Sequence, residues 1–321
     1  MNYIPTHILN IMGFDDSVLI CDEVDPVLNK ILNDNGLKVT YDPTITTEKI
    51  LETVSNYNII IVRSRTTITK EIIDKATNCK IIARVGVGLD NIDQEAAKAK
   101  NIRVINAVEG AMNAVAELVL GLMLSLARQT ARADRGIRSG KWLKKEVMGT
   151  ELRGKYLGIV GMGNIGKRLG RLAKALNMNI IGYDVIPIDE EFSKEVGLMK
   201  ADLSTLLQSS DYVSIHVPLL DSTYHLIDAQ KISTMKKTAK IINTSRGGVI
   251  DEDALYDALK SGNLGGAALD VFEKEPAIGH KLAELENVIL TPHIGAQTKE
   301  AQSLAANVIG EKIIQILRGV I

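Results

Sequence analysis

At 321 residues, with 45% hydrophobic and 24% charged side chains, the chain has apolar material enough for two folded domains. A net charge of −1 excludes the strong positive field that gathers proteins on nucleic acid or on anionic membranes, so neither is expected as a partner. Cys21 and Cys79, the two cysteines, lie in apolar runs and are expected as buried reduced thiols, and no histidine spacing suits a metal, so no metal site is predicted.

The opening stretch, MNYIPTHILNIMGFDDSV, lacks a charged start followed by a continuous apolar run, so no secretory signal is expected and the cytoplasm is the default location. From Ser17 onward, short β-branched runs alternate with helical stretches, the pattern of βαβ units and a parallel sheet. VLIC, LKVTY, NIIIVR, KIIAR and IRVIN read as five strands. Between them PVLNKILNDN (closed by Gly36), TTEKILETVSN, TKEIIDKAT and DQEAAKAK carry apolar residues at helical spacing. Together they make one small α/β domain.

A long helix follows, with Val115, Leu118, Val119, Leu122 and Leu126 on one face; Gly121 and Ser125 beside that stripe would permit close packing. The apolar run from Ala114 is too short to span a bilayer and carries Glu117, so it is predicted to be a largely buried helix of a soluble protein. YLGIV, NIIGYD, DYVSIHVP, KIINTS, LGGAALDV and NVILTP then read as six strands, a complete dinucleotide-binding sheet. After Gly295 one amphipathic helix, TKEAQSLAANVIGEKIIQILRG, has no strand behind it and is expected to return to the first domain. The expected fold class is α/β, with two Rossmann-like or flavodoxin-like domains built on parallel sheets and a cleft between them. A discontinuous substrate domain over 1–107 and 296–321 would accompany a dinucleotide-binding domain over 108–295.

Tyr156 to Val160 runs into GMGNIG, with Gly161, Gly163 and Gly166 in G-x-G-x-x-G spacing before a helical stretch. Such glycines let backbone approach a pyrophosphate, while the helix start, including Asn164 and Ile165, supplies amides and a positive dipole end. The next strand ends in Asp184, 23 residues beyond Gly161, where a carboxylate can accept hydrogen bonds from ribose hydroxyls and repel a 2′-phosphate. Val185 and Ile186 follow with no arginine, so the expected cofactor is NAD rather than NADP.

Three further strands end in polar residues, where open α/β sheets place ligands. KIINTSRGGVID brings Asn243, Thr244, Ser245 and Arg246 to one end, LGGAALDVFEKEP brings Asp270 and then Glu275 to the next, and NVILTPHIGAQT brings His293 to the last. This set resembles the D-2-hydroxyacid dehydrogenase family, over essentially the whole chain after about Ser17. The family's arginine sits in SRGG (Arg246), its acid in EKEP (Glu275) and its histidine in TPHIG (His293), with LDVFE between them. Oxidising an alcohol requires a base while hydride leaves the same carbon, and His293 is the natural one. The resemblance implies that Glu275 holds the ring's other nitrogen, fixing its tautomer, and that Arg246 binds the substrate carboxylate in a bidentate manner. It further implies cofactor contacts from His216, Val217 and Pro218 in SIHVPL and from Thr223, Thr244, Ser245, Asp270 and Gly295. Simple packing for the SIHVPL loop, and a cap or turn role for Asp270, stay open.

Within the family, IVRSRTTIT, IIARVGVGLDNID and KEVMGTELRGK closely resemble the members that oxidise D-3-phosphoglycerate. Arg63, Ser64, Arg65 and Arg84 would then suit a substrate carrying phosphate and carboxylate, with amides from Val87 and Gly88, although loop arginines are commonly just solvated. The implied reaction is NAD-dependent oxidation of D-3-phosphoglycerate to 3-phosphohydroxypyruvate, the opening step of phosphorylated serine synthesis. The alternatives are a glyoxylate or hydroxypyruvate reductase, another D-2-hydroxyacid dehydrogenase, or a non-enzymatic NAD(H)-sensing protein like the corepressors of this fold. The sequence ends at Ile321, without the regulatory extension of many relatives, so serine feedback through such a domain is not expected. The helix from Asn113 and RQTARADRGIRSGKW resemble the family's dimerisation segment, implying a homodimer. The first sixteen residues lie outside the resemblance.

Overall fold

Parallel strands are covered on both faces, so their sequences run in β-branched residues rather than alternating with polar ones. The computed structural model describes residues 14–321; His7 and the rest of 1–13, including most of the stretch read for a leader, lie outside the described residues. The chain divides into two compact units, Met1–Ala111 with Ala296–Ile321, and Met112–Gly295.

In the first unit β1 (Ser17–Ile20), α1 (Pro26–Asp34), β2 (Lys38–Tyr41), α2 (Thr47–Thr53), β3 (Ile59–Val62), α3 (Lys70–Lys75), β4 (Ile81–Arg84), α4 (Gln94–Ala99) and β5 (Arg103–Asn106) follow in turn. The strands are all parallel, in the order β2-β1-β3-β4-β5, the flavodoxin-like arrangement. Central β3 shows the two-sided burial: Ile59 and Ile61 pack with Leu28, Leu32, Ile309 and Ile313, while Ile60 and Val62 pack with Ile50, Ile72 and Ile73 on the other face. The first of these layers includes the C-terminal helix, Lys299–Leu317, which lies on α1. Caps start the helices where the sequence puts them. Asp25, Thr46, Thr69 and Asp93 each accept a backbone N–H from the first turn, a bond that stabilises a helix by roughly 1 kcal/mol.

The second unit opens with α5 (Met112–Arg128) and α6 (Thr130–Arg138). There follow β6 (Tyr156–Val160), α7 (Asn164–Ala175), β7 (Asn179–Tyr183), α8 (Glu190–Val196), β8 (Met199–Lys200), α9 (Leu203–Ser209) and β9 (Tyr212–Ile215). The unit closes with α10 (Ala229–Thr234), β10 (Lys240–Asn243), α11 (Glu252–Lys260), β11 (Gly266–Leu269) and β12 (Val288–Leu290). The sheet has seven parallel strands in the order β12-β11-β10-β9-β6-β7-β8, not the six expected. The added strand, β8, is two exposed residues at the sheet edge, too short and too solvated to leave a hydrophobic period in the sequence. Connections run outward from β6 in one direction and then from β9 in the other, so the order reverses between β6 and β9, where such sheets open a crevice at their carboxyl ends.

Along α5, Val115, Val119, Leu122 and Leu126 are buried as the stripe predicts, joined by Met123. The packing expected of Gly121 and Ser125 is not found: Gly121 faces open space, and Ser125 bonds the Thr130 hydroxyl at 2.7 Å, because both lie off the buried face. Among the described residues no single helix is long and apolar enough to cross a membrane; α5 and α6 reach that length only as a pair bent by 67°. Both cysteines are free, and desolvation pushes each thiol up to about 12.

Candidate active site

The turn after β6 is closed by contact, not merely permitted by flexibility. Gly161 holds φ +96°, and a Cβ there would stand 2.7 Å from the His216 carbonyl oxygen; a Cβ on Gly166 would stand 2.2 Å from the Gly161 carbonyl. Only glycine leaves strand, turn and helix this close. Nothing lies within 4 Å of the Cβ position of Gly163, and α7 starts behind it with no side-chain cap. Asn164, Ile165 and Gly166 therefore begin a helix whose first amides no side chain has taken, which fits an anionic pyrophosphate.

Asp184, just past β7, accepts the Met162 N–H at 2.6 Å and the Ile186 N–H at 3.0 Å, tying the glycine turn to the next loop. Each carboxylate oxygen retains a second lone pair for a ribose hydroxyl. Beside it Val185 and Ile186 are 85% and 70% exposed, apolar side chains that offer no charge to a 2′-phosphate. After β9, Thr223 donates its hydroxyl to the Pro218 carbonyl at 2.6 Å, closing the turn that directly follows Val217. His216 bonds the Ser214 hydroxyl at 2.8 Å, and desolvation lowers its pKa to about 4, so its ring is neutral at pH 7. Thr244 Oγ1 is enclosed with no hydrogen-bond partner among the described residues, an orphan that a bound ligand would satisfy.

Three strand ends of this unit build the polar site. At the end of β10, buried Asn243 organises the arginine turn: its Oδ1 accepts the Ser245 N–H at 3.0 Å and the Ser245 hydroxyl at 2.8 Å, and its amide donates to the Arg246 carbonyl at 2.8 Å. Arg246 in turn donates to the Ser245 carbonyl at 2.6 Å. After β11, Asp270 is fully buried. One oxygen accepts from the Thr291 hydroxyl at 2.6 Å and the Ile294 N–H at 2.8 Å, and the other accepts the Gly295 N–H at 2.8 Å. Those bonds bracket His293, whose backbone sits at φ +53°, a region that non-glycine residues occupy only when their surroundings compel it. Asp270 thus holds the histidine's loop in a strained shape, the turn role left open by the sequence.

His293 Nδ1 lies 2.8 Å from Glu275 Oε2, and Glu275 Oε1 accepts the Phe272 N–H at 3.1 Å. The side chains are 50% and 37% exposed, so the pair is open to a ligand. With Nδ1–H donated to the carboxylate, Nε2 is the basic nitrogen, and it has no hydrogen-bond partner among the described residues. Residues 18 positions apart in sequence therefore form an oriented imidazole–carboxylate pair.

In the first unit the arginines differ in their surroundings. Arg65 donates to the carbonyls of Ile45, at 3.1 Å, and of Cys21, and lies 3.2 Å from Asp22, so its guanidinium is tied into its own loop framework. Arg63 reaches the Gln297 carboxamide oxygen, and Arg84 donates to the Arg63 carbonyl at 3.2 Å. Ser64 is exposed between the two, and Val87 and Gly88 form a partly exposed turn after β4. Sequence reading passed over Asp22. It is 2% exposed and accepts from the Arg63 N–H at 2.5 Å, the Thr66 hydroxyl at 2.5 Å and the Thr66 N–H at 3.2 Å, holding the whole loop. Its place at a strand end was the only available signal.

Residues 120–295 match the family model described as D-isomer specific 2-hydroxyacid dehydrogenase, NAD binding domain. The chain belongs to the D-2-hydroxyacid dehydrogenase family. Membership assigns the glycine turn and its sheet to the family's NAD-binding domain. The chain is 44% identical over 303 residues to D-3-phosphoglycerate dehydrogenase of Methanocaldococcus jannaschii, covering 94% of this chain and 57% of that one. It is 43% identical over 304 residues to hydroxypyruvate reductase of Thermotoga maritima, covering 94% and 98%. Among solved structures, the holo form of Rhodotorula graminis D-mandelate dehydrogenase superposes with a TM-score of 0.88 at 30% identity, over 94% of each chain. The chain thus spans a little over half the length of the phosphoglycerate dehydrogenase it matches.

Proposed function

We propose that the protein is an NAD-dependent dehydrogenase interconverting a D-2-hydroxy acid and its 2-keto acid, with D-3-phosphoglycerate as the substrate. The observation that carries the reading is the His293–Glu275 pair, its Nε2 unpartnered among the described residues, in the same unit as the glycine turn and the Arg246 turn. NAD, when bound, supplies the hydride acceptor. His293 Nε2 takes the substrate hydroxyl proton during oxidation and returns it during reduction, while Glu275 keeps Nδ1 protonated and steadies the imidazolium. Arg246 binds the substrate carboxylate through its planar fork and polarises the keto oxygen. Gly161, Gly163, Asn164, Ile165 and Gly166 would hold the pyrophosphate, and Asp184 the adenosine ribose. The 216–218 loop with Thr223, and Thr244, Ser245, Asp270 and Gly295, would line the rest of the dinucleotide. Arg63, Ser64, Arg84 and the amides of Val87 and Gly88 are the proposed substrate groups of the first unit, with Arg65 supporting their loop.

A second reading has its own observation: the hydroxypyruvate reductase matches this chain over 98% of its length, so an unphosphorylated 2-keto acid is the competing substrate. NADH formation from D-3-phosphoglycerate, measured beside NADH consumption with hydroxypyruvate, glyoxylate and pyruvate at equal enzyme, separates the two. Phosphoglycerate turnover exceeding the others in kcat/KM supports the first reading, and a reversed order replaces it with the second. NADH binding with no turnover of any of them would favour a nucleotide-sensing protein. We also propose a homodimer through α5 and the stretch 128–142 that follows it, where Ile137 and Trp142 stand 56% and 77% exposed, with Met148 just beyond at 82%. The two unpaired cysteines suit a reducing compartment such as the cytoplasm.

A further inference from the structure

The loop carrying Glu275 begins at the Phe272–Glu273 peptide, and that peptide is gripped from two sides. On one side is Glu252, the first residue of α11, only 8% exposed. Its Oε1 accepts the Glu273 N–H at 2.8 Å, and its Oε2 lies 2.9 Å from His280 Nε2. His280 Nδ1 accepts the Leu282 N–H at 3.3 Å, so the neutral ring carries its proton on Nε2 and donates it to Glu252. On the other side is Gly247, next to Arg246 in sequence, where a Cβ would fall 1.9 Å from the Phe272 carbonyl oxygen and 2.5 Å from the Glu273 nitrogen. The peptide is therefore where the arginine turn and the carboxylate loop meet.

Glu252 is not needed to cap its helix, because Asp251 already accepts the Ala254 N–H at 3.0 Å. A buried carboxylate costs stability unless its oxygens are bonded, and these are used on the Glu273 amide and on His280. The other charged groups around it are Glu273, whose Oε1 lies 3.4 Å from the Glu252 N–H and 2.9 Å from His225 Nε2, and Asp251, 3.8 Å from His225 Nδ1. The Lys281–Asp253 ion pair lies outside them on the surface.

We propose that Glu252 and His280 are positioning residues for the reaction, fixing the Phe272–Glu273 peptide and through it the Glu275 carboxylate that orients His293. The proposal rests on the reading of His293 and Glu275 as the acid–base pair. Glu252→Gln preserves shape but needs its amide nitrogen to donate to His280 Nε2. That forces the imidazole proton onto Nδ1, against the Leu282 N–H, and disturbs the grip on the loop.

The test uses the full chain and whichever of 3-phosphohydroxypyruvate, hydroxypyruvate and glyoxylate the unmodified enzyme reduces fastest. Glu252→Gln should lower kcat about 10- to 100-fold, the cost of a catalytic group displaced by around an ångström. Its NADH affinity by fluorescence titration should be unchanged, and its pH profile of kcat displaced. His280→Gln, which can still donate to Glu252, should retain most of the kcat that His280→Phe loses. A Glu252→Gln enzyme with an unaltered pH profile, whether or not its Tm drops, would overturn the proposal, as would equal kcat in the two His280 variants. His293→Ala in the same assay checks the premise: full activity there removes the acid–base reading itself, whereas a large loss there beside an indifferent Glu252→Gln defeats only the positioning role.

Discussion

His293 and Glu275 share one hydrogen bond but are proposed for different duties, so their substitutions should separate. His293→Ala should lower kcat about 10²- to 10⁴-fold while NADH still binds, as steady-state rates and a fluorescence titration would show. Glu275→Gln should instead shift the pH profile of alcohol oxidation, because the imidazolium loses its anionic partner; an unmoved profile would refute the pairing. His216 makes a different prediction. Its pKa falls from 6.5 to about 4 on folding, so the unfolded chain binds more protons between those values. The stability it contributes is complete above pH 6.5 and lost as the pH falls towards 4. His216→Asn should therefore flatten the fall of Tm with acidification across that window, and parallel curves for variant and parent would contradict the burial argument. Arg246, Glu275 and His293 could be singled out as candidates because each lies in a distinctive short motif at a strand end. Asp22, and the bonds that Asn243 and Asp270 make, were not, since a buried polar side chain declares its bonds only when distant groups arrive beside it.

The loop after β3 shows two like residues put to unlike use. Arg65 is bonded to two carbonyls and Asp22, whereas Arg63 bonds a side chain, Gln297. Arg63→Ala should therefore lower kcat/KM for phosphorylated substrates far more than for glyoxylate. Arg65→Ala should lower both alike and reduce Tm, since it loosens the loop rather than removing a contact to phosphate. Equal, substrate-independent losses for Arg63→Ala would remove the phosphate argument. Most elements were legible from β-branched runs and helical periods, which act within a few residues. Strand β8 was missed because two exposed edge residues bear no pattern, and Gly121 was misplaced because the buried arc of α5 includes Met123 and turns away from it.

For the assembled protein, the exposed Ile137, Trp142 and Met148 predict that Trp142→Glu with Met148→Glu shifts the mass by light scattering from dimer to monomer, with helical content retained. A parent enzyme already monomeric at micromolar concentration would end the proposal. Local chemistry written in the order of residues was enough to announce two α/β units and a dinucleotide turn, and to single out His293 as a candidate, because β-branched runs, the 3.6-residue period and glycine spacing act over short stretches of chain. What required the folded molecule was the company each group keeps: the carboxylate 18 residues from His293, the buried Asp270 that holds that histidine at φ +53°, and the division of labour between Arg63 and Arg65. Such pairings depend on which strand ends lie side by side in a sheet, and neighbours of that kind are set by packing over the whole chain rather than by any one segment.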